Sequence, residues 1–216
     1  MHKCIVIAAG DFFGLPFRPL PGDFLIAADA GYDKFLSLGI DPDLIIGDFD
    51  SRGSAPKRGN TIILPCEKDV TDMSAACRKG MEAGCREFHL FGGTGGRLSH
   101  TMANIQLMAD LKSQGADSYL YGEKDIATIA EKESLTFDDS LSGFISVFSF
   151  SDKAKGVSIK GLKYELEETE LDSSYPLGVS NEFKDREALI TVRKGKLLII
   201  WQGNDTGKIE RQELSI

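Results

Sequence analysis

The sequence predicts an α/β protein in two parts. The first is an N-terminal, mostly parallel, Rossmann-like sheet with helices on both faces. The second is a C-terminal antiparallel β-sandwich. Three observations lead there. Short β-rich runs alternate with helical patterns through the first half, which implies parallel strands joined by crossover helices. Helical periods become scarce after about Asp125, where strand-like runs take over. The length, 216 residues, suits one large domain or two modest ones. The change of rhythm therefore reads as a boundary, with domains at 1–125 and 126–216.

The elements follow in order. Cys4–Ala9 reads as a buried strand ending at Gly10, and Phe24–Ala28 as a second. A helix over Tyr32–Leu38 can stop at Gly39. Leu44–Ile46 and Thr61–Leu64 are the third and fourth strands. Met73–Ala83 has Met73, Ala76, Cys77 and Met81 on one helical stripe, with Gly84 as its stop. Glu87–Phe91 is a fifth strand. Ser99–Lys112 is a helix with Met102, Ile105, Met108 and Leu111 on its apolar side, and Ser118–Tyr121 is a sixth strand. Beyond the boundary, Phe144–Phe150, Gly156–Ile159, Leu189–Val192 and Leu197–Trp201 read as strands. Arg193-Lys194-Gly195-Lys196 reads as a hairpin turn between the last two.

Charge and cysteine usage exclude several classes. The formal net charge of −8 argues against nucleic acid as a partner, because that needs a basic face to displace counterions. Cys4, Cys66, Cys77 and Cys85 form no C-x-x-C pair, and His2, His89 and His100 do not stand at ligand spacing to them. They read as reduced, buried thiols of a cytoplasmic protein. The apolar run near Met1 is too short for a signal peptide or a membrane span.

Ligands of parallel α/β sheets bind beyond the carboxyl ends of the strands. Here those ends carry Ala9-Gly10-Asp11, Asp29-Ala30-Gly31, Gly47-Asp48-Phe49-Asp50-Ser51, Glu67-Lys68-Asp69-Val70-Thr71-Asp72 and Gly92-Gly93-Thr94-Gly95-Gly96-Arg97. Carboxylates and glycines thus collect on one edge. On an extended chain, Asp48 and Asp50 point to the same face. Two carboxylates that close repel unless a cation lies between them, and Mg²⁺ takes oxygen ligands while bridging to phosphates. The bland alternative is a solvated loop in which Asp50 or Ser51 bonds its own backbone. Thr71 and Asp72 suit a helix cap and first turn, a role compatible with facing the same edge. The glycines of Gly92–Arg97 let backbone N–H groups approach an anion, and Arg97 can fork onto phosphate oxygens. The loop is neither a Walker A sequence nor G-x-G-x-x-G, since Leu98 interrupts the latter. His100 is either an acid–base or metal group or a helix-surface histidine.

Together these segments resemble the thiamine pyrophosphokinase family. The resemblance rests on Ala27-Ala28-Asp29-Ala30-Gly31, Pro42 through Ser51, Lys68-Asp69-Val70-Thr71-Asp72, and Gly92 through His100 with Asn104. Ser180-Asn181 and Trp201 match more loosely. It implies a nucleotide-binding α/β domain joined to a thiamine-binding β-sandwich, in a homodimer with active sites at the subunit interface. The implied reaction takes ATP and thiamine to AMP and thiamine diphosphate with Mg²⁺. The implied acidic set is Asp29, Asp48, Asp50 and Asp72, with Asp48, Asp50 and Asp72 catalytic and metal-binding. Gly93, Arg97, Ser99, His100 and Asn104 fall on the nucleotide side, and Ser180, Asn181 and Trp201 on the thiamine side. Trp201 would offer an aromatic face to the thiamine cation.

Two positions depart from the family pattern. Ala30 replaces a glycine, which a negative φ would tolerate. Ser99 stands where an aspartate is usual, which would leave Asp48 and Asp50 a larger share of the metal binding. Two other functions fit the same residues: a Mg²⁺-dependent diphospho- or nucleotidyl-transferase acting on another small alcohol, and a non-catalytic nucleotide sensor.

Overall fold

The structure, a computed structural model, describes residues 3–49, 56, 60–65 and 69–214. The chain divides into two compact units, Met1–Glu123 and Lys124–Ile216. In chain order the first contains β1 (Lys3–Ile7), β2 (Phe24–Ala28), α1 (Gly31–Ser37), β3 (Leu44–Gly47), β4 (Thr61–Ile63), α2 (Asp72–Glu82), β5 (Glu87–Phe91), α3 (Leu98–Ser113) and β6 (Asp117–Tyr121). Its strands pair in parallel in the order β6–β5–β1–β2–β3–β4. The chain steps from β1 outward to β4 and then returns to the other side of β1 as β5. The β1–β5 junction is therefore the topological switch point.

Continuous burial of Cys4–Ile7 in β1 is the mark of a parallel strand covered on both faces. Ile5, Ile7, Ile26, Ile45, Phe88 and Leu90 are fully enclosed, each contributing about 1.5–3 kcal/mol relative to exposure. Helix α2 is capped by Thr71, whose hydroxyl accepts the Ser74 N–H at 3.1 Å, a cap worth about 1 kcal/mol. It buries Met73, Ala75, Ala76, Cys77 and Gly80. A Cβ on Gly80 would lie 2.6 Å from the Phe88 ring and 2.7 Å from Cys4 Sγ, so glycine permits the close approach of helix to sheet.

On the opposite face of β5 the cover is not helical. Phe17 sits edge-on to His89 at 4.8 Å, and Phe12 edge-on to Phe91 at 6.3 Å. The irregular chain between β1 and β2 thus takes the place the sequence reading assigned to a helix. His89, with no exposed surface, lies between Glu87 and Tyr121, at 2.8 Å from each. A carboxylate can only accept, so Nε2 carries the proton toward Glu87 and Nδ1 accepts from the Tyr121 hydroxyl.

Helix α3 departs from the expected apolar stripe. Met102 is 46% exposed, while Asn104, Met108 and Leu111 are buried. Successive steps of three residues drift around a helix, and Asn104 is drawn inward because its amide donates to Gly93 O at 2.7 Å.

The second unit holds β7 (Asp125–Phe137), β8 (Phe144–Ser149), β9 (Lys153–Lys160), β10 (Leu166–Asp172), β11 (Gly178–Glu182), β12 (Ala188–Gln202) and β13 (Ile209–Glu213), and no helix among its described residues. All pairs within it are antiparallel. Arg193–Lys196 is not a hairpin turn. Val192 and Lys196 both pair with β7, opposite Glu133 and Glu131, so the segment is a bulge inside one long strand. The missing information was β7 itself, a partner long enough to run beside both halves. At the bulge β12 exchanges neighbours, β9 along its first half and β8 along its second. Beside it Glu133, 2% exposed in its side chain, is held by Arg211 at 2.9 Å. Arg211 also donates to Thr128 Oγ1 and, at 3.2 Å, to Ile129 O.

Candidate active site

The carboxyl ends of the first unit's strands enclose a cleft of about 720 Å³, lined by residues 8–10, 28–29, 48, 70–73, 92–97, 100 and 104. It brings together Asp29, Asp48, Asp72, Gly93, Arg97, His100 and Asn104. Ser99 is exposed on the first turn of α3 and is not among the lining residues. Asp50 lies outside the described residues, as do Ser51 and Lys68.

Local backbone shapes set each group. Asp29 takes a left-handed φ of 50° and donates its N–H to Ile46 O at 2.8 Å, a conformation aspartate tolerates better than most residues. A Cβ on Gly47 would stand 3.0 Å from Asp29 Cα, so glycine there lets β3 close on the Asp29 turn. Ala30 has φ −64°, which accommodates its methyl. Phe49 has φ 57° and is 2% exposed. Phe49 is therefore not in the extended conformation on which the same-face reading of Asp48 and Asp50 rested. Asp72 opens α2 one residue after the Thr71 cap, so capping and facing the cleft coexist.

The glycine loop is fastened carbonyl by carbonyl. Gly92 O accepts from Gly10 N–H at 2.8 Å, Gly93 O from the Asn104 amide at 2.7 Å, and Thr94 O from Asp11 N–H at 3.1 Å. Gly92 has φ 65°, and any Cβ there would collide with Ala8 O. Arg97 is the N-cap residue of α3 and His100 stands in its first turn, which carries no acidic residue. This helix start favours an anion.

Sequence reasoning missed Lys34. Its ammonium, half-buried under the cleft, donates to Ala8 O at 2.6 Å and to Gly10 O. Burial lowers its pKa, opposed by the nearby Asp11 carboxylate. No local pattern marked it, because its partners stand 26 and 24 positions earlier in the chain.

In the second unit Ser180 is exposed with φ 57°. Asn181 is buried and engaged by Tyr164, accepting its N–H at 2.9 Å and donating to its carbonyl at 2.6 Å. Trp201 has no exposed surface and meets Phe137 edge-on at 5.7 Å. It presents no open aromatic face; the strand alternation that buries Ile199 turns Trp201 inward as well.

A parallel sheet with carboxylates and a glycine loop meeting at its switch point has the architecture of a phosphate-binding α/β protein. Residues 22–120 match the family described as thiamin pyrophosphokinase, catalytic domain, and residues 132–197 match its vitamin B1 binding domain. The chain belongs to the thiamin pyrophosphokinase family. It is 29% identical over 182 residues to the thiamine pyrophosphokinase of Bacillus subtilis (strain 168), covering 81% of this chain and 85% of that one. A crystal structure of thiamine pyrophosphokinase from Bacillus subtilis superposes with TM-score 0.81 at 24% identity, over 94% of this chain and 100% of the other. One from Geobacillus thermodenitrificans gives 0.78 at 25% identity, over 95% and 99%. No described helix is long and apolar enough to cross a membrane.

Proposed function

We infer that the chain transfers diphosphate from ATP to the hydroxyl of thiamine, giving thiamine diphosphate and AMP. It is a transferase of thiamine diphosphate biosynthesis. The observation that carries the assignment to a site is the cleft, where carboxylates and an anion-fitting loop share one edge.

The donor set fits Mg²⁺. Carboxylate oxygens are the ligands that ion takes, and it keeps waters and substrate phosphates in its shell rather than filling a protein cage. We assign Asp48 and Asp72, with Asp50, to hold the ion, and Asp29 to the nucleotide side. Bound there, Mg²⁺ would offset phosphate charge. The thiamine oxygen bonds to the β-phosphorus, and its proton passes to a cleft carboxylate. The bond from that phosphorus to the oxygen shared with the α-phosphorus breaks, and the oxygen leaves with AMP. Such transfer depends on positioning and charge, with no protein nucleophile. Arg97 and His100 flank the phosphates, with Ser99 beside them, and Asn104 and Gly93 hold the loop. In the second unit Ser180 meets thiamine, while Asn181 and Trp201 support it from within.

The finer architecture follows the same reading: a Rossmann-like nucleotide domain and a thiamine-binding β-sandwich, acting as a cytoplasmic homodimer. The test is turnover of ATP with thiamine and Mg²⁺, resolved by chromatography. AMP and thiamine diphosphate in equal amounts are expected. ADP as the product, or AMP formed without thiamine, would overturn the assignment.

A further inference from the structure

We propose that Lys34 is a positioning residue for the nucleotide: it holds the carboxyl end of β1 against the glycine loop and keeps strand-end carbonyls turned away from the phosphates. The proposal rests on ATP being the substrate of this cleft.

Carbonyl oxygens project from the carboxyl ends of parallel strands and repel anions. Here five of them accept hydrogen bonds from donors of the protein. Gly92, Gly93 and Thr94 oxygens accept from Gly10, Asn104 and Asp11. The remaining two, from Ala8 and Gly10, converge on the single ammonium of Lys34. Ala8, Gly10 and Gly92–Arg97 all line the cleft, whereas Lys34 does not line it and reaches it only through Ala8 O and Gly10 O. Lys34 therefore acts through the backbone it holds.

Three segments meet at this point. Helix α1 brings Lys34 and begins two residues after Asp29; the segment just after β1 supplies the two carbonyls. The glycine loop is bound to the segment after β1 by the Gly10 and Asp11 N–H groups. A Cβ on Gly92 would fall 3.1 Å from Lys34 Nζ, so the ammonium also abuts the loop. Within an acidic cleft, a fixed cation under the floor has a second effect: it lowers the cost of bringing phosphate near Asp29 and Asp48. Charge-assisted hydrogen bonds are about twice as strong as neutral ones, and a buried carbonyl left without a donor is costly. The thiamine side is assigned to Ser180 in the second unit, so thiamine's own affinity should depend little on this corner.

The test measures affinity and not only turnover. Calorimetric titrations of ATP with Mg²⁺, and separately of thiamine, are made on wild type, Lys34→Met and Lys34→Arg. Lys34→Met should weaken ATP binding about tenfold or more while thiamine affinity changes less than twofold. Lys34→Arg should regain most of the loss, because a guanidinium can also serve both carbonyls. Unchanged ATP affinity in Lys34→Met, or equal weakening for both ligands, would overturn the proposal. Lys34→Gln, under the same criteria, replaces Lys34→Met should the latter lack a cooperative unfolding transition. Wild-type protein that binds no ATP would overturn the functional reading and this proposal together. Wild-type binding with an unaltered Lys34→Met would overturn the proposal alone.

Discussion

The two units use the same kinds of residue for opposite purposes. In the first, Asp29, Asp48 and Asp72 are part-exposed at strand ends around a cleft, and the left-handed turns at Asp29 and Phe49 lie beside it. In the second, the acid Glu133 is buried against Arg211, and the left-handed Lys132 sits at the bulge that lets β7 and β12 stay paired. Acidic groups and left-handed backbone accordingly border a cleft in one unit and hold strand register in the other. Where a carboxylate faces a cleft, removing it should change chemistry. Where it is enclosed with its partner, removing the partner should change stability.

The comparison breaks first at Asp48. Asp48→Asn keeps the shape and removes the charge, so turnover should fall about a thousandfold, roughly 4 kcal/mol of barrier. The unfolding midpoint in urea should barely move. A variant with near-normal turnover would mean the cleft carboxylate is scaffolding after all. Arg211→Met should do the reverse. Leaving Glu133 buried without its partner should cost about 3–5 kcal/mol in chemical denaturation. The folded fraction should still bind ATP normally. Adding Glu133→Leu should recover most of the stability, since an apolar pair needs no charge compensation; no recovery would show that more than the ion pair was lost.

The smallest expected effect lies in the first unit and is structural, which sharpens the contrast. The ring N–H of His89 and then Lys3 hold the Glu87 carboxyl at a pKa of about 2, below its ordinary 4.5. Its folded value is depressed, so its contribution is complete above the ordinary value and fades as pH falls from 4.5 toward 2. His89, whose pKa is lowered chiefly by burial, adds to the acid loss because its neutral form is the one that fits. Glu87→Gln should flatten this acid limb by about 1 kcal/mol, a figure reduced because the side chain is about a third exposed. Urea titrations at about pH 6 and about pH 3 measure it. An acid limb identical to wild type would remove Glu87 from the account.

Much of the cleft could be read before any coordinates. Asp29, Asp48, Asp72 and Gly92–Arg97 each follow an apolar run, and the place where a run stops is a local property. The helix capped by Thr71 and its stop at Gly84 are also local, written in a capping hydroxyl and in a glycine with φ 91°. Other features escaped for one shared reason. Lys34 matters because of Ala8 and Gly10, 26 and 24 positions earlier. Arg193–Lys196 looks like a turn until Glu131 and Glu133 are seen beside it. Trp201 looks available to a cation until Phe137 covers it.

Hydrophobic period, caps and glycines therefore suffice to name the elements and the strand ends, because those are interactions within a few residues. Which strands become neighbours, which lysine reaches which carbonyl and which aromatic ring is covered are set by pairings across tens of residues. Their chain-entropy cost is met only when the whole unit packs at once.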